Sequence, residues 1–347
     1  MKKFIPLGLV GLTLLALPLS TGNPFILHSF IMVLWYAYIS TSWNIVGGFA
    51  GQLSLGHSAF LAIGGYTSTL LYTYLNLTPW LGMLAGGILA ALVAVLIGIP
   101  SFRLKGAYYS LATIAFAEGL SIILQTVRQV GPVYLGADEG VHVPLRPDPG
   151  LLDFQSNGKI EYYYIILVFL AIVLAVSWYI ERSRLGYYLT ALREDEEAAK
   201  ALGIDTRKVK LIAAGLSAFF TGIGGTFFAQ LIRYLEPGTI AGLDFSVQMV
   251  FLAVVGGLGT VCGPFVGAVF LTTIAQVTNV YWGDSIPGLN LIIYGIAVVS
   301  VILFMPPGQG IINLVLRLIG MGPRKAEEAD RAEIEKTEAA EEAEAGL

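Results

Sequence analysis

The sequence predicts an all-α, polytopic membrane protein, on three observations. Of its 347 residues, 56% are hydrophobic and only 13% charged, against about 45–50% and about 25% in an ordinary soluble domain. A mean hydropathy of +0.74 would leave a water-exposed globule of this size with more apolar surface than one core can hide. The apolar residues also fall in runs of about 17–25, the length a helix needs to cross the hydrocarbon core.

About ten such runs occur, near residues 4–20, 25–46, 51–75, 80–99, 106–127, 162–180, 209–232, 245–261, 263–281 and 287–305. The first follows Lys2 and Lys3 and reads as an uncleaved span, because cleaving it as a signal peptide would leave nine spans and turn the basic loops outward. The second and third runs meet around Gly47, Gly48, Gly51 and Gly56, and the third also holds Gly64 and Gly65. The eighth and ninth carry Gly256, Gly257, Gly259, Gly263 and Gly267. Glycine at that density predicts broken or closely packed helices. Residues 1–320 thus form a transmembrane domain with an outer loop at 128–161 and an inner loop at 182–210, and residues 321–347 form an acidic tail.

Orientation follows from charge. Lys2, Lys3, Arg103, Lys105, Arg182, Arg184, Arg193, Lys200, Arg207, Lys208, Lys210, Arg317, Arg324 and Lys325 fall on one side; Arg128, Arg146, Lys159 and Arg233 fall on the other. An even span count and the positive-inside rule then put both termini in the cytoplasm. The net charge of -4 is a property of the tail: residues 323–347 carry 4 basic and 9 acidic side chains, leaving 16 and 15 elsewhere. A near-neutral body offers no field for nucleic acid. The single cysteine, Cys262, excludes an intrachain disulfide and a thiolate metal site.

The inner loop reads Arg193-Glu194-Asp195-Glu196-Glu197-Ala198-Ala199-Lys200-Ala201-Leu202-Gly203. Acidic residues in a first turn, alanines in the middle and a glycine at the left-handed stop predict a short helix. Ala198, Ala201 and Leu202 share one small apolar face, and Glu194, Glu197 and Lys200 share a charged flank. Such a helix either links two spans in water or seats in a partner's groove.

Glu197-Ala198-Ala199-xxx-Gly203 resembles the EAA loop of ABC importer permeases, although the usual Ile-x-Leu-Pro ending is replaced by Leu211-Ile212-Ala213-Ala214. Gly51-Gln52-Leu53-Ser54-Leu55-Gly56-His57-Ser58-Ala59-Phe60 with Gly64-Gly65-Tyr66 resembles the signature of the LivM-type permeases of branched-chain amino-acid ABC importers. Further matches follow in order: Arg103-Leu104-Lys105-Gly106-Ala107-Tyr108-Tyr109, Ala115-Phe116-Ala117-Glu118, Gly136 to Val141, Ala191 to Glu196, Leu216 to Phe220 with Gly222, and Val255 to Gly259 with Gly263-Pro264. Together they cover roughly residues 30–305.

The resemblance implies one permease of a pair in the bacterial inner membrane, fed by a periplasmic binding protein and driven by two cytoplasmic ATPases. On it, Glu194, Glu197, Ala198, Ala199, Ala201, Leu202 and Gly203 dock on an ATPase. ATP and Mg are then used by those partners, and this chain binds no cofactor. The residues permit that division, since no G-x-x-x-x-G-K-[ST] phosphate loop occurs in the sequence. The same motifs resemble urea and short-chain amide permeases, so cargo stays open at this point.

Glu118 is the one carboxylate in the middle of a span, where an ionised side chain costs about 2.5–3.5 kcal/mol on insertion scales. It reads as a pathway or gate residue, or as a protonated group bonded to a neighbouring helix. Asn44, Gln52, Ser54 and His57 cluster at the glycine-rich junction of the second and third runs and either line a break facing the route or satisfy the backbone that the break exposes. With His28 and His142 remote, His57 makes a poor metal ligand. A secondary transporter would need charge pairs or ion ligands within its spans. A membrane enzyme would need a catalytic constellation that no span offers.

Overall fold

A computed structural model of the chain describes residues 14–18, 23–104, 106–146, 150, 153–155, 158–282, 288–304 and 310–318. The first predicted run, apart from a helical piece at 14–18, and the acidic tail lie outside the described residues.

Beyond the piece at 14–18, the described residues form thirteen helices in chain order: α1 Pro24–Asn44, α2 His57–Leu75, α3 Pro79–Ser101, α4 Ala107–Thr126, α5 Ile160–Arg182, α6 Arg184–Glu194, α7 Glu196–Ala201, α8 Thr206–Ile232, α9 Pro237–Ile240, α10 Leu243–Gly257, α11 Gly263–Trp282, α12 Leu289–Phe304 and α13 Gly310–Leu318. Pro24, Pro79 and Pro237 open their helices, where a missing N–H costs nothing. Asn23 caps α1 by accepting from Phe25 N–H at 3.0 Å.

Six segments among the described residues are long and apolar enough to cross a bilayer: Pro24–Phe49, Pro79–Ser101, Ala107–Thr126, Ile160–Arg182, Thr206–Ile232 and Pro237–Gly257. The sequence predicted about ten. Two of the others, α2 and α11, are helices of 19 and 20 residues diluted by Ser, Thr, Tyr, Gln and Asn; the apolar stretch Ile292–Phe304 is shorter. The predicted third span, 51–75, loses its first six residues to a non-helical segment, because α1 runs on as a π-helical turn over Ile45–Phe49 and residues 51–56 do not coil.

Helix α8 packs along α3 and α2, and α1 lies against α5, α10 and α11. Close approach depends on bare backbone: a methyl at Gly64 of α2 would strike the Gly222 carbonyl of α8, and one at Gly86 of α3 would sit 2.9 Å from the Gly64 carbonyl. Polar side chains tie helices through main-chain carbonyls. Trp35 Nε1 donates to Gly224 O at 2.9 Å, the Tyr38 hydroxyl to Phe220 O at 2.8 Å, and Ser40 Oγ to Met249 O at 2.8 Å. With lipid outside, such bonds and tight packing replace the hydrophobic drive of a soluble core.

The two ends of the bundle differ. At one, β1 Gln129–Val130 pairs with β2 Val133–Tyr134, and β3 Val141–His142 pairs antiparallel with β4 Tyr234–Leu235. This ladder end holds the predicted outer loop down: Arg146 donates from Nε to the Tyr72 hydroxyl at 3.1 Å and pairs with Asp153 at 3.4 Å, while Phe154 is buried under Trp80. At the other, loop end stand α6, α7 and the turns around residues 45–56, 101–104 and 257–263. Arg207 there reaches back to Ile99 O at 3.2 Å.

Candidate functional site

The loop helix forms where its residues predict, with one correction at its start. Asp195 is extended, at φ -153° and ψ 112°, and its carboxylate accepts from the N–H groups of Glu197 at 2.8 Å and Ala198 at 3.1 Å. It is the N-cap, and it divides the run into α6 and α7. Glu194 therefore ends α6 and pairs with Arg193 at 3.0 Å, off the predicted charged flank. The Glu197–Lys200 pair forms at 3.4 Å, and Gly203 takes the left-handed stop at φ +83°.

Which face turns outward follows from one buried alanine. Ala199 is 2% exposed against the body, whereas Ala198, Ala201 and Leu202, the last at 81%, stand in the open. Glu196 fixes that orientation. Its carboxylate pairs with Lys210 of α8 at 2.7 Å and Lys200 at 3.1 Å, and accepts from Thr206 at 3.4 Å. Lys210 is only 3% exposed, so its ammonium needs that partner. Burial pushes the Glu196 carboxyl up, but hydrogen bonds from Lys210 and Lys200 and their charges outweigh it, leaving the carboxyl below its ordinary value. The Glu196 carboxylate in turn holds Lys200 above its own ordinary value.

Both predicted glycine junctions break, and they meet. Asn44 at the end of α1 donates from Nδ2 to Thr260 O at 2.9 Å and accepts from Gly259 N–H at 3.0 Å, gripping the break between α10 and α11. Gly257 and Gly259 sit there at φ +132° and +72°. Arg193 enters the same junction from α6: its Nη1 donates to Gly48 O at 3.3 Å, and a methyl on Gly259 would land on that nitrogen. Gly51, at φ +65°, faces the same side chain, 2.8 Å from Arg193 Cγ to the place of a Cβ. Sequence reasoning placed Arg193 in the loop and missed its contact with the breaks.

His57 and Ser54 come together, as their spacing suggests, with a partner it did not suggest. Ser217 of α8 donates to Ser42 O at 2.7 Å and so accepts from His57 Nε2 at 2.8 Å; His57 Nδ1 is then left to accept from Ser54 Oγ at 3.0 Å. In this network a neutral imidazole carries its proton on Nε2. Trp43 Nε1 donates to Ser54 O at 2.7 Å, and Gln52 bonds Ala50 O at 3.3 Å. Asn44, Gln52, Ser54 and His57 all direct polar atoms at one another or at the chain's own backbone. A cavity of about 20 Å³ lies beside Ser54 and His57, room for a water and not for an amino acid. No group of three or more potential metal ligands occurs among the described residues.

Glu118 is half-buried on α4, on a stripe with exposed Tyr108, Leu111 and Ile122, and has no hydrogen-bond or ion-pair partner among the described residues. Nearer the ladder end, a cavity of about 490 Å³ lies between α1, α10, α11 and α12. Gln248 Oε1 and the Tyr294 hydroxyl, two of its lining groups, are buried without hydrogen-bond partners among the described residues. Its polar residues are scattered over four helices, so no local pattern announced it.

Residues 25–331 match the family described as branched-chain amino acid transport system / permease component. The chain is 30% identical over 257 residues to the high-affinity branched-chain amino acid transport system permease protein LivM of Escherichia coli, covering 68% of this chain and 59% of that one. Identity is 27% over 268 residues to LivH of Salmonella typhimurium, covering 71% and 82%. It is 28% over 254 residues to the nucleoside ABC transporter permease protein NupC of Lactococcus lactis, covering 69% and 77%. The match spans only about three-fifths of the length of the LivM relatives. No solved structure matches the chain significantly.

Proposed function

The chain belongs to the branched-chain amino acid transport permease family, and from that premise we propose that it is one permease subunit of an ATP-driven importer of branched-chain amino acids in the bacterial inner membrane. In this reading ten spans cross the bilayer, both termini and the loop end face the cytoplasm, and the ladder end receives cargo from a periplasmic binding protein. A second, homologous permease completes the passage, and two ATPases supply the work with ATP and Mg.

One observation carries the reading. Helix α7 is held rigid from below by Glu196 and Lys210 while it leaves Ala198, Ala201 and Leu202 uncovered. That patch is too small to stabilise a fold and well suited to seat in a groove. Glu197, Ala199 and Gly203 shape the same helix, and Glu194 orients the arginine behind it. Pressure on α7 passes to α8 through the Glu196–Lys210 pair.

The Glu118 stripe of α4 supports a second assignment. Facing lipid, that carboxylate would cost about 2.5–3.5 kcal/mol, so we place the stripe against the passage or the second permease. Asn44, Gln52, Ser54 and His57 then act as the frame of the inner gate and not as cargo ligands.

The test is uptake into liposomes holding the full complex, with Ala198→Arg and Leu202→Glu introduced together. ATP-dependent leucine uptake is expected, and is expected to vanish with loss of the ATPases from the purified complex; uptake that persists without retained ATPase overturns the reading. Labelled uridine and urea run alongside, because a relative is named for nucleosides.

A further inference from the structure

We propose that Arg193 is the positioning residue that carries motion of the cytoplasmic loop into the membrane helices, by latching the end of α1 to the break between α10 and α11. The inference rests on the importer reading above and assigns the path inside this chain.

The geometry is that of a two-sided fork. On one side Nε and Nη2 hold the Glu194 carboxylate at 3.3 and 3.0 Å, so the last residue of α6 sets the direction of the guanidinium. On the other, Nη1 donates to Gly48 O at 3.3 Å, 145 residues earlier in the chain. That carbonyl sits in the π-helical last turn of α1, Ile45–Phe49, beyond which residues 51–56 do not coil. Carbonyls at a helix C-terminus lack intrahelical donors, and the helix dipole there favours a cation. Arg193 supplies both.

Two breaks are shaped around this one side chain. Gly51 and Gly259, each with φ in the left-handed region, come from different parts of the sequence, and a β-carbon on either would press against Arg193. Asn44 holds the far side of the second break through Gly259 N–H and Thr260 O. The junction therefore has two fasteners: Asn44 belongs to α1 and moves with it, while Arg193 belongs to the loop. Displacing α6 and α7 withdraws only the arginine, leaving the Gly48 carbonyl unpaired and space beside Gly259. Such a change has two discrete arrangements, which coupling over distance requires.

Cys262, partly exposed, lies two residues beyond Thr260 and is the sole cysteine in the chain. It is a native reporter for the junction. In the reconstituted complex of this chain with its partner permease and ATPases, fluorescent maleimide incorporation is followed on this chain alone, without nucleotide and with ATP, Mg and vanadate. For wild type the labelling rate should change at least about fivefold between the two states, and for Arg193→Ala it should become indifferent to nucleotide while leucine uptake per ATP hydrolysed falls about tenfold. ATP hydrolysis itself should persist. Arg193→Lys should recover part of the ratio, since an ammonium still donates to Gly48 O but cannot fork to Glu194. A purely structural role would lower assembly and both activities together, leaving their ratio unchanged.

Wild-type uptake per ATP in Arg193→Ala overturns the proposal. Should that variant fail to assemble, a wild-type Cys262 rate that ignores nucleotide overturns it as well. Absence of ATP-driven uptake by the wild-type complex would instead sink the importer reading, before the arginine is tested.

Discussion

Glycine does opposite work in two regions of this bundle. Along α2, α3 and α8 it sits inside intact helices, and Gly64, Gly86 and Gly222 let three backbones touch. At the loop end, Gly51, Gly257 and Gly259 leave helical geometry, with φ of +65°, +132° and +72°, and side chains from elsewhere fill the gaps, Arg193 at Gly51 and Gly259 and Ile312 at Gly257. The first arrangement is closed by backbone contact; the second is held by a few side-chain hydrogen bonds. Packed seam and broken junction thus use the same residue, distinguished by backbone conformation.

The sharpest way to break that contrast is to place a side chain in each region. Gly64→Leu should abolish folded protein, since overpacking against the Gly222 carbonyl has no flexible neighbour to yield and costs at least about 3 kcal/mol; recovery of a monodisperse complex in detergent would show the seam to be looser than described. Gly259→Ala meets left-handed strain of about 1–2 kcal/mol and the Arg193 guanidinium. It should assemble with a modest loss of thermal stability yet transport poorly, the reverse of the seam variant, as melting curves and uptake on one sample would show.

A smaller effect tests the histidine knot between the two regions. Ser217→Ala removes the acceptor of His57 Nε2–H and the donor to Ser42 O, so about 1–3 kcal/mol of stability should be lost, visible as a lower denaturation temperature. The smallest concerns pH. The Glu196 carboxyl lies below its ordinary 4.5 in the folded chain, so its contribution is fully present above that value and is lost as pH falls through the lower folded one. Hydrogen exchange of residues 196–204, corrected for intrinsic rate, should rise in wild type as pH falls through the folded carboxyl's titration and in Glu196→Gln at pH 7 alike, leaving the seam unchanged.

Much of this was legible in the chain. Spacing of apolar runs gave the helices, the Ala/Glu run ending in Gly203 gave α7, and glycine density marked both junctions. What spacing did not reveal was which glycines break and which pack, because that choice lies in φ and not in composition. In the sequence Asp195 is one residue of a continuous acidic run; its role as a cap emerges only where the chain bends. Arg193, Lys210 and Ser217 escaped because their partners Gly48, Glu196 and His57 are brought to them by helix packing. Local patterns specify elements, and long-range carbonyls and carboxylates decide how elements are joined.

The antiparallel pairing of β3 with β4 stitches the loop after α4 to the segment after α8, main chain to main chain. At the opposite rim the joints run through side chains: the Arg193 and Arg207 guanidinium groups, the Asn44 amide and the Glu196–Lys210 pair. A main-chain ladder opens only when its bonds break together, whereas side-chain clasps release one at a time, so a push on the loop end is expected to turn the body about its sewn side.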